Sequence, residues 1–153
     1  MSNYRLDYSA SHYYHVFNRG YMKQIIFHSH YDYEKYLNIV DECQKEYPMV
    51  CVYILCLLPN HFHFLLQQEV DWLYIAEFMR RIQWSYANYY KVKYNNIRWI
   101  PIFEWRYKAK SIETNEYLLD CYKYIQNNPL KHQLVDSIDK RPYLFLKRPV
   151  SLF

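Results

Sequence analysis

Residues 12–19, HYYHVFNR, are rich in aromatic and β-branched side chains and run into Gly20, the only glycine of the chain, which predicts a strand closed by a turn. Residues 31–47 place Tyr33, Tyr36, Leu37, Val40, Cys43 and Tyr47 at three- and four-residue spacings before Pro48, the pattern of an amphipathic helix that covers a sheet. Two strand-like runs, VCVYILCLL at 50–58 and HFHFLLQQ at 61–68, flank Pro59-Asn60 and predict a hairpin. Residues 71–92 carry Leu73, Ile75, Ala76, Phe78, Met79, Ile82, Ala87 and Tyr90 without proline or glycine, so a second helix is expected there, with Asp71 as its cap. Beyond a loop at about Tyr94–Arg98, residues 101–110 read as a strand. Thr114 can then cap a helix over Glu116–Asn127, which Pro129 ends because the residue before a proline is pushed out of helical geometry.

The order strand, helix, hairpin, helix, strand, helix predicts an α+β fold: a ferredoxin-like split βαβ antiparallel sheet with helices on one face and an extra C-terminal helix. A chain of 153 residues with 52% hydrophobic content fits a single domain, 1–153, able to bury a core without disulfides. The net charge of +4 permits an anionic partner without requiring one. Twenty tyrosines could offer faces for bases to stack on, but a general bias toward Tyr, Asn, Lys and Ile accounts for them as well. Four cysteines form no C-x-x-C pair and the start MSNYRLDY has no apolar signal stretch, so reduced thiols in a cytoplasmic protein are the expectation. The longest apolar run, Met49–Pro59, is too short to span a bilayer, and no membrane partner is expected.

His61-Phe62-His63 carries the first candidate chemistry. Strand alternation puts both imidazoles on one face, about 6.6 Å apart along the chain, from where they can converge on one ion. Two ordinary histidines on a solvated sheet face are the competing reading, because H-x-H alone is a weak signal. Near the C-terminus, Tyr124 and Asn128 are i and i+4 and share a helix face if the helix persists through its last turn, while Tyr122 would point roughly the opposite way. A phenol is a poor nucleophile at its ordinary pKa near 10, so a catalytic tyrosine needs a cation or base nearby; Tyr124 could equally be one more packed aromatic.

The runs His15-Val16-Phe17-Asn18-Arg19-Gly20, Leu58-Pro59-Asn60-His61-Phe62-His63-Phe64-Leu65-Leu66, Trp105-Arg106-Tyr107-Lys108, and Tyr117-Leu118-Leu119 followed by Tyr124-Ile125-Gln126-Asn127-Asn128-Pro129 occur in that order. Together they resemble the single-tyrosine transposases of the His-hydrophobic-His superfamily, in particular the REP-associated and insertion-sequence types, over roughly residues 12–135, leaving 136–153 as a tail. The resemblance implies a metal-dependent endonuclease and strand transferase that acts on single-stranded DNA, often beside a hairpin, through a 5′-phosphotyrosine intermediate. By position, Tyr124 on the extra helix would be the nucleophile, and His61, His63 and Asn128 would hold the divalent ion. Arg19, Arg106 and Lys108 match recurring basic positions and would contact DNA phosphates; Arg80 and Arg81 could extend that track. The ion implied is Mg²⁺ or Mn²⁺, although imidazole ligands by themselves favour Mn²⁺ or later metals. A homodimer is the expectation, as in insertion-sequence relatives, which exchange the tyrosine helix, although REP-associated relatives can act alone. The chain departs from the family by carrying Ile102-Phe103-Glu104 where glycines are common.

Two other classes compete. One is a catalytically inactive ferredoxin-like module that binds single-stranded nucleic acid, although no RNP-type Gly-Phe motif is present. The other is a zinc hydrolase using water, disfavoured because no third His, Asp or Glu accompanies the pair in the sequence. His12, His15, His28, His30 and His132 lack comparable spacing and read as structural or surface residues.

Overall fold

The computed structural model of the chain describes residues 12–71, 73–95, 100–131 and 144–146. Its elements run β1 (Tyr13–Arg19), α1 (His30–Glu46), β2 (Val50–Leu58), β3 (His61–Gln68), α2 (Tyr74–Lys93), β4 (Lys108–Ile112), α3 (Asn115–Lys131) and β5 (Leu144–Leu146). The strands pair antiparallel in the order β4-β1-β3-β2-β5. This is the expected α+β split βαβ sheet.

Alternation on the middle strand β3 sorts its side chains between two cores. Phe62, Phe64 and Leu66 join Val16, Tyr36, Phe78 and Tyr86 in the larger core, under α1 and α2. Leu65 turns the other way and packs with Ile54, Cys56 and Leu58 of β2 and with Leu118, Cys121 and Ile125 of α3. Strand β2 is therefore covered on both faces, which is why it is apolar almost throughout rather than alternating. The helices α1 and α2 lie on one face and the extra helix α3 on the other. His61 and His63 share the α3 face with Leu65, on a strand hydrogen-bonded along both edges.

Gly20 is required by close approach. A Cβ there would stand 2.1 Å from the Gln24 carbonyl oxygen, and the Gly20 N–H donates to the Asn60 carbonyl at 2.8 Å, pinning the end of β1 to the β2–β3 turn. The start of α1 is held by Asp32, whose buried carboxylate accepts the N–H groups of His28 and Ser29 at 2.8 and 3.1 Å. Lys93 and the hydroxyls of Tyr89 and Tyr94 complete its shell.

Three local expectations are corrected, and one strand is added. Asp71 does not occupy the N-cap position of α2: the helix opens at Tyr74 after Leu73, and the Gln68 side-chain oxygen on β3 takes the Ile75 N–H at 3.3 Å, as a capping side chain would. The last long strand begins at Lys108, not 101, because Ile102 and Phe103 are both buried and fill the core instead of alternating; Phe103 makes only a single bridge to Gly20. Thr114 does accept the Tyr117 N–H at 3.1 Å, but α3 continues through Pro129 to Lys131. One backbone hydrogen bond lost to a proline near a helix end is offset here by the burial of the Pro129 ring. The short β5, absent from the sequence reading, pairs with Ile54–Cys56. The amino-terminal start, Arg98, His132 and all of 136–153 except Leu144–Leu146 lie outside the described residues.

No helix among the described residues is long and apolar enough to cross a membrane. All four cysteines are buried free thiols, and burial pushes Cys43 up to about 11 and Cys121 up to about 12.

Candidate active site

His61 and His63 stand next to each other on β3, ring centroids 5.3 Å apart and planes at 86°. In the β1–β3 ladder Arg19 lies opposite His61 and Phe17 opposite His63, and Lys108 of β4 lies opposite Phe17. This register opens a pocket of about 380 Å³ whose lining includes Arg19, Lys23, Asn60, His61, His63 and Lys108. Cationic groups thus border the paired imidazoles, an arrangement suited to phosphate oxygens.

Helix α3 brings the tyrosine. The Tyr124 ring meets His63 edge-on, with centroids 5.6 Å apart, and reaches within 6.0 Å of the His15 ring. It stays 44% exposed, in contrast to the buried aromatic side chains of the core. Tyr122, two residues or about 200° earlier around the helix, packs instead against the core between α3 and the sheet. One turn beyond Tyr124 lies Asn128, 1% exposed, with neither its Nδ2 nor its Oδ1 hydrogen-bonded. A buried amide without partners costs about 1–3 kcal/mol in desolvation and calls for an explanation. An ion that takes Oδ1 as a ligand supplies one.

The histidine missed by sequence reasoning is His15. Its Nε2 lies 3.0 Å from His63 Nδ1, both residues being buried, and the two rings stack at 5.2 Å. Burial, with a smaller contribution from Lys110, pushes His15 down to about 4, so it is neutral at physiological pH. The available signal was alternation: His15 shares a strand face with Arg19, and in the antiparallel ladder it sits diagonally from His63. His28 and His30 are structural and surface residues as expected, bonded to Tyr90 and Glu34.

The basic residues divide. Arg19 and Lys108 line the pocket, but Arg19 is paired with Glu104 at 2.6 Å, a contact made by the Ile102-Phe103-Glu104 segment. Arg106 is exposed and is not among the lining residues. Arg80 and Arg81 sit on α2, across the sheet, and do not line it either.

Among the described residues no three His, Cys, Asp or Glu side chains gather in a metal-holding group. Among the described residues, a third protein ligand beside His61 and His63 would have to be of another type, and the orphaned Asn128 amide is of that type. Two neutral imidazoles and an amide leave a divalent cation its full charge, which a phosphate diester would neutralise. The donor set fits Mn²⁺ well and Mg²⁺ less well.

The family described as "Transposase IS200 like" matches residues 8–128. Among solved structures, the chain is similar to a REP-associated tyrosine transposase bound to a REP hairpin, at 18% identity and a TM-score of 0.74, covering 94% of this chain and 82% of that one. A Deinococcus radiodurans R1 protein assigned to the transposases is similar at 14% identity and a TM-score of 0.52, over 83% of this chain and 97% of that one. These two likenesses bear on the fold. No curated protein matches.

Proposed function

The chain belongs to the IS200-like transposase family, and from that premise we propose that it cleaves and rejoins single-stranded DNA beside a hairpin through a 5′-phosphotyrosine link on Tyr124. The observation that carries this reading is the meeting of Tyr124 with the His61–His63 pair, on a face bordered by cationic side chains. Held by His61, His63 and Asn128, Mg²⁺ or Mn²⁺ would polarise the scissile phosphate and orient it for in-line displacement.

The remaining work falls to the chain's own residues. The Tyr124 oxygen attacks phosphorus and loses its proton, the bond from phosphorus to the 3′ oxygen breaks, and that oxygen leaves as a 3′-hydroxyl after taking up a proton. The phosphate stays on Tyr124 as a diester to the 5′ oxygen of the downstream nucleotide. A second 3′-hydroxyl reverses these steps, restoring the phenol; because the diester is conserved throughout, rejoining needs no ATP. Lys108 and Arg19 hold flanking phosphates, with Arg19 exchanging Glu104 for the DNA; Arg106, outside the pocket, would meet the strand further along. Tyr124 lies against His63 of its own chain, which supports a site completed within one copy whether or not two copies associate as a homodimer. The reading includes a cytoplasmic location, where the buried thiols stay reduced.

The test is incubation with end-labelled single-stranded hairpin DNA and Mn²⁺, resolved on a denaturing gel. A covalent protein–DNA band that disappears in Tyr124→Phe is expected. Binding without cleavage or adduct would indicate a nucleic-acid-binding module, and cleavage that survives Tyr124→Phe would indicate activated water.

A further inference from the structure

We propose that His15 and Asn60 are positioning residues that fix the tautomers of His63 and His61, so that both rings carry their proton on Nδ1 and present Nε2 to the cation. The inference rests on the reading of His61 and His63 as metal-holding residues and deepens it. A histidine ligand uses the lone pair of one ring nitrogen, and the hydrogen bond made by the other nitrogen decides which one that is.

The His61 half follows by elimination. Its Nδ1 lies 2.7 Å from the Asn60 Oδ1, and an amide oxygen only accepts, so the proton is on His61 Nδ1. The orientation of the Asn60 amide is itself determined, because its Nδ2 donates to the Lys23 carbonyl at 3.3 Å, and a carbonyl cannot donate. That carbonyl is delivered by an unusual turn: Met22 and Lys23 both have left-handed backbone, at φ 50° and 63°. Such conformations cost non-glycine residues free energy and cluster where surrounding structure demands them. Gly20, whose N–H bonds to the Asn60 carbonyl, sets the turn against Asn60.

For His63 the partner is His15 Nε2, 3.0 Å from His63 Nδ1. One of the two nitrogens must donate. If His63 is to offer the same ring nitrogen as its neighbour, its Nδ1 is the donor and His15 Nε2 the acceptor. The two tethers start from different strands and grip the two rings at planes 86° apart. In this account the first-strand run His15…Gly20 serves the H-x-H pair directly, His15 through His63 and Gly20 through Asn60 and His61.

The experiment is long-range ¹H–¹⁵N NMR of the histidine rings in the metal-free full chain, combined with Mn²⁺ titration followed by EPR, on wild type, His15→Phe and His15→Gln. Phe keeps a ring but no acceptor; Gln restores an acceptor. Expected are Nδ1–H signatures for both His61 and His63 in wild type, Mn²⁺ binding roughly 10- to 100-fold weaker in His15→Phe, and recovery of most of that loss in His15→Gln. An Nε2–H tautomer for either ring in wild type overturns the proposal without any variant. Unchanged Mn²⁺ affinity in folded His15→Phe, or failure of His15→Gln to recover it, overturns the His15 half. Wild-type protein that binds no Mn²⁺ sinks the metal-holding reading instead, and the proposal with it.

Discussion

Tyr124 stands edge-on to His63, ring centroids 5.6 Å apart and planes at 90°, while Tyr122 on the same helix packs into the core between α3 and the sheet. The two phenols should therefore respond oppositely to loss of the hydroxyl. Tyr124→Phe is expected to bring DNA cleavage and adduct formation to background while moving stability by no more than about 0.5 kcal/mol, as for a surface change. Tyr122→Phe should keep the adduct. A denaturing gel and a urea melt of each variant check this.

Asn128 sets function against stability. Its amide is buried without a hydrogen-bond partner, so Asn128→Leu removes a desolvation cost and should leave the metal-free protein as stable as wild type or more so, by about 1 kcal/mol. The same change removes a proposed ligand. Mn²⁺ should raise the melting temperature of wild type, because a ligand that binds only the folded state stabilises it by mass action, and should raise that of Asn128→Leu far less. Calorimetry with and without Mn²⁺ reads both effects; an equal Mn²⁺-induced shift in the two proteins would remove Asn128 from the site.

The Arg19–Glu104 pair predicts a salt signature. Arg19 must exchange Glu104 at 2.6 Å for a phosphate, so part of its attraction to DNA is spent on breaking the pair. Glu104→Gln is expected to tighten single-stranded DNA binding several-fold at low salt. Arg19→Ala and Lys108→Ala should each weaken it and flatten the slope of log K against log salt by about 0.7, the value per phosphate contact on single strands. Fluorescence anisotropy over a salt series measures all three.

Asp32 governs stability in acid, away from the site. Burial alone would raise its pKa, but Lys93, the hydroxyls of Tyr94 and Tyr89, and the His28 N–H together lower it from 3.8 to about 2. A carboxyl depressed in the folded state contributes stability that is fully present above its unfolded value and lost as the solution is acidified through its folded one. The contribution should accordingly fade between about pH 4 and pH 2. Asp32→Asn is expected to cost about 2–3 kcal/mol at neutral pH, in the range of hydrogen bonds to a charged group, and to flatten the acid limb. Melts from pH 7 to pH 2 show whether it does.

The sheet and its helices were legible because periodicity is a local signal: β3 alternates cleanly between Phe62 and Phe64 on one face and His61 and His63 on the other. What stayed hidden was set by tertiary contacts. Gln68 takes an N–H of the first turn of α2 from seven residues away, Ile102 and Phe103 leave the ladder to fill a core, and the burial of the Pro129 ring carries α3 past its proline. The same holds within the site. The H-x-H pair was visible as spacing, and Tyr124 with Asn128 as a helical i, i+4 pair. His15 was passed over because its partner is 48 positions away and only the β1–β3 register brings them together. The grip of Glu104 on Arg19, across 85 positions, was invisible for the same reason.

The central claim is a covalent link between DNA and one particular phenol. Mass spectrometry of peptides from the adduct trapped with hairpin DNA and Mn²⁺ tests it most directly. The account predicts a 5′-phosphonucleotide on the peptide containing Tyr124, with fragment ions placing it on that residue and none on Tyr122. A nucleotide mapped to any other side chain, or a cleaved strand with no protein-linked phosphate at all, would contradict it.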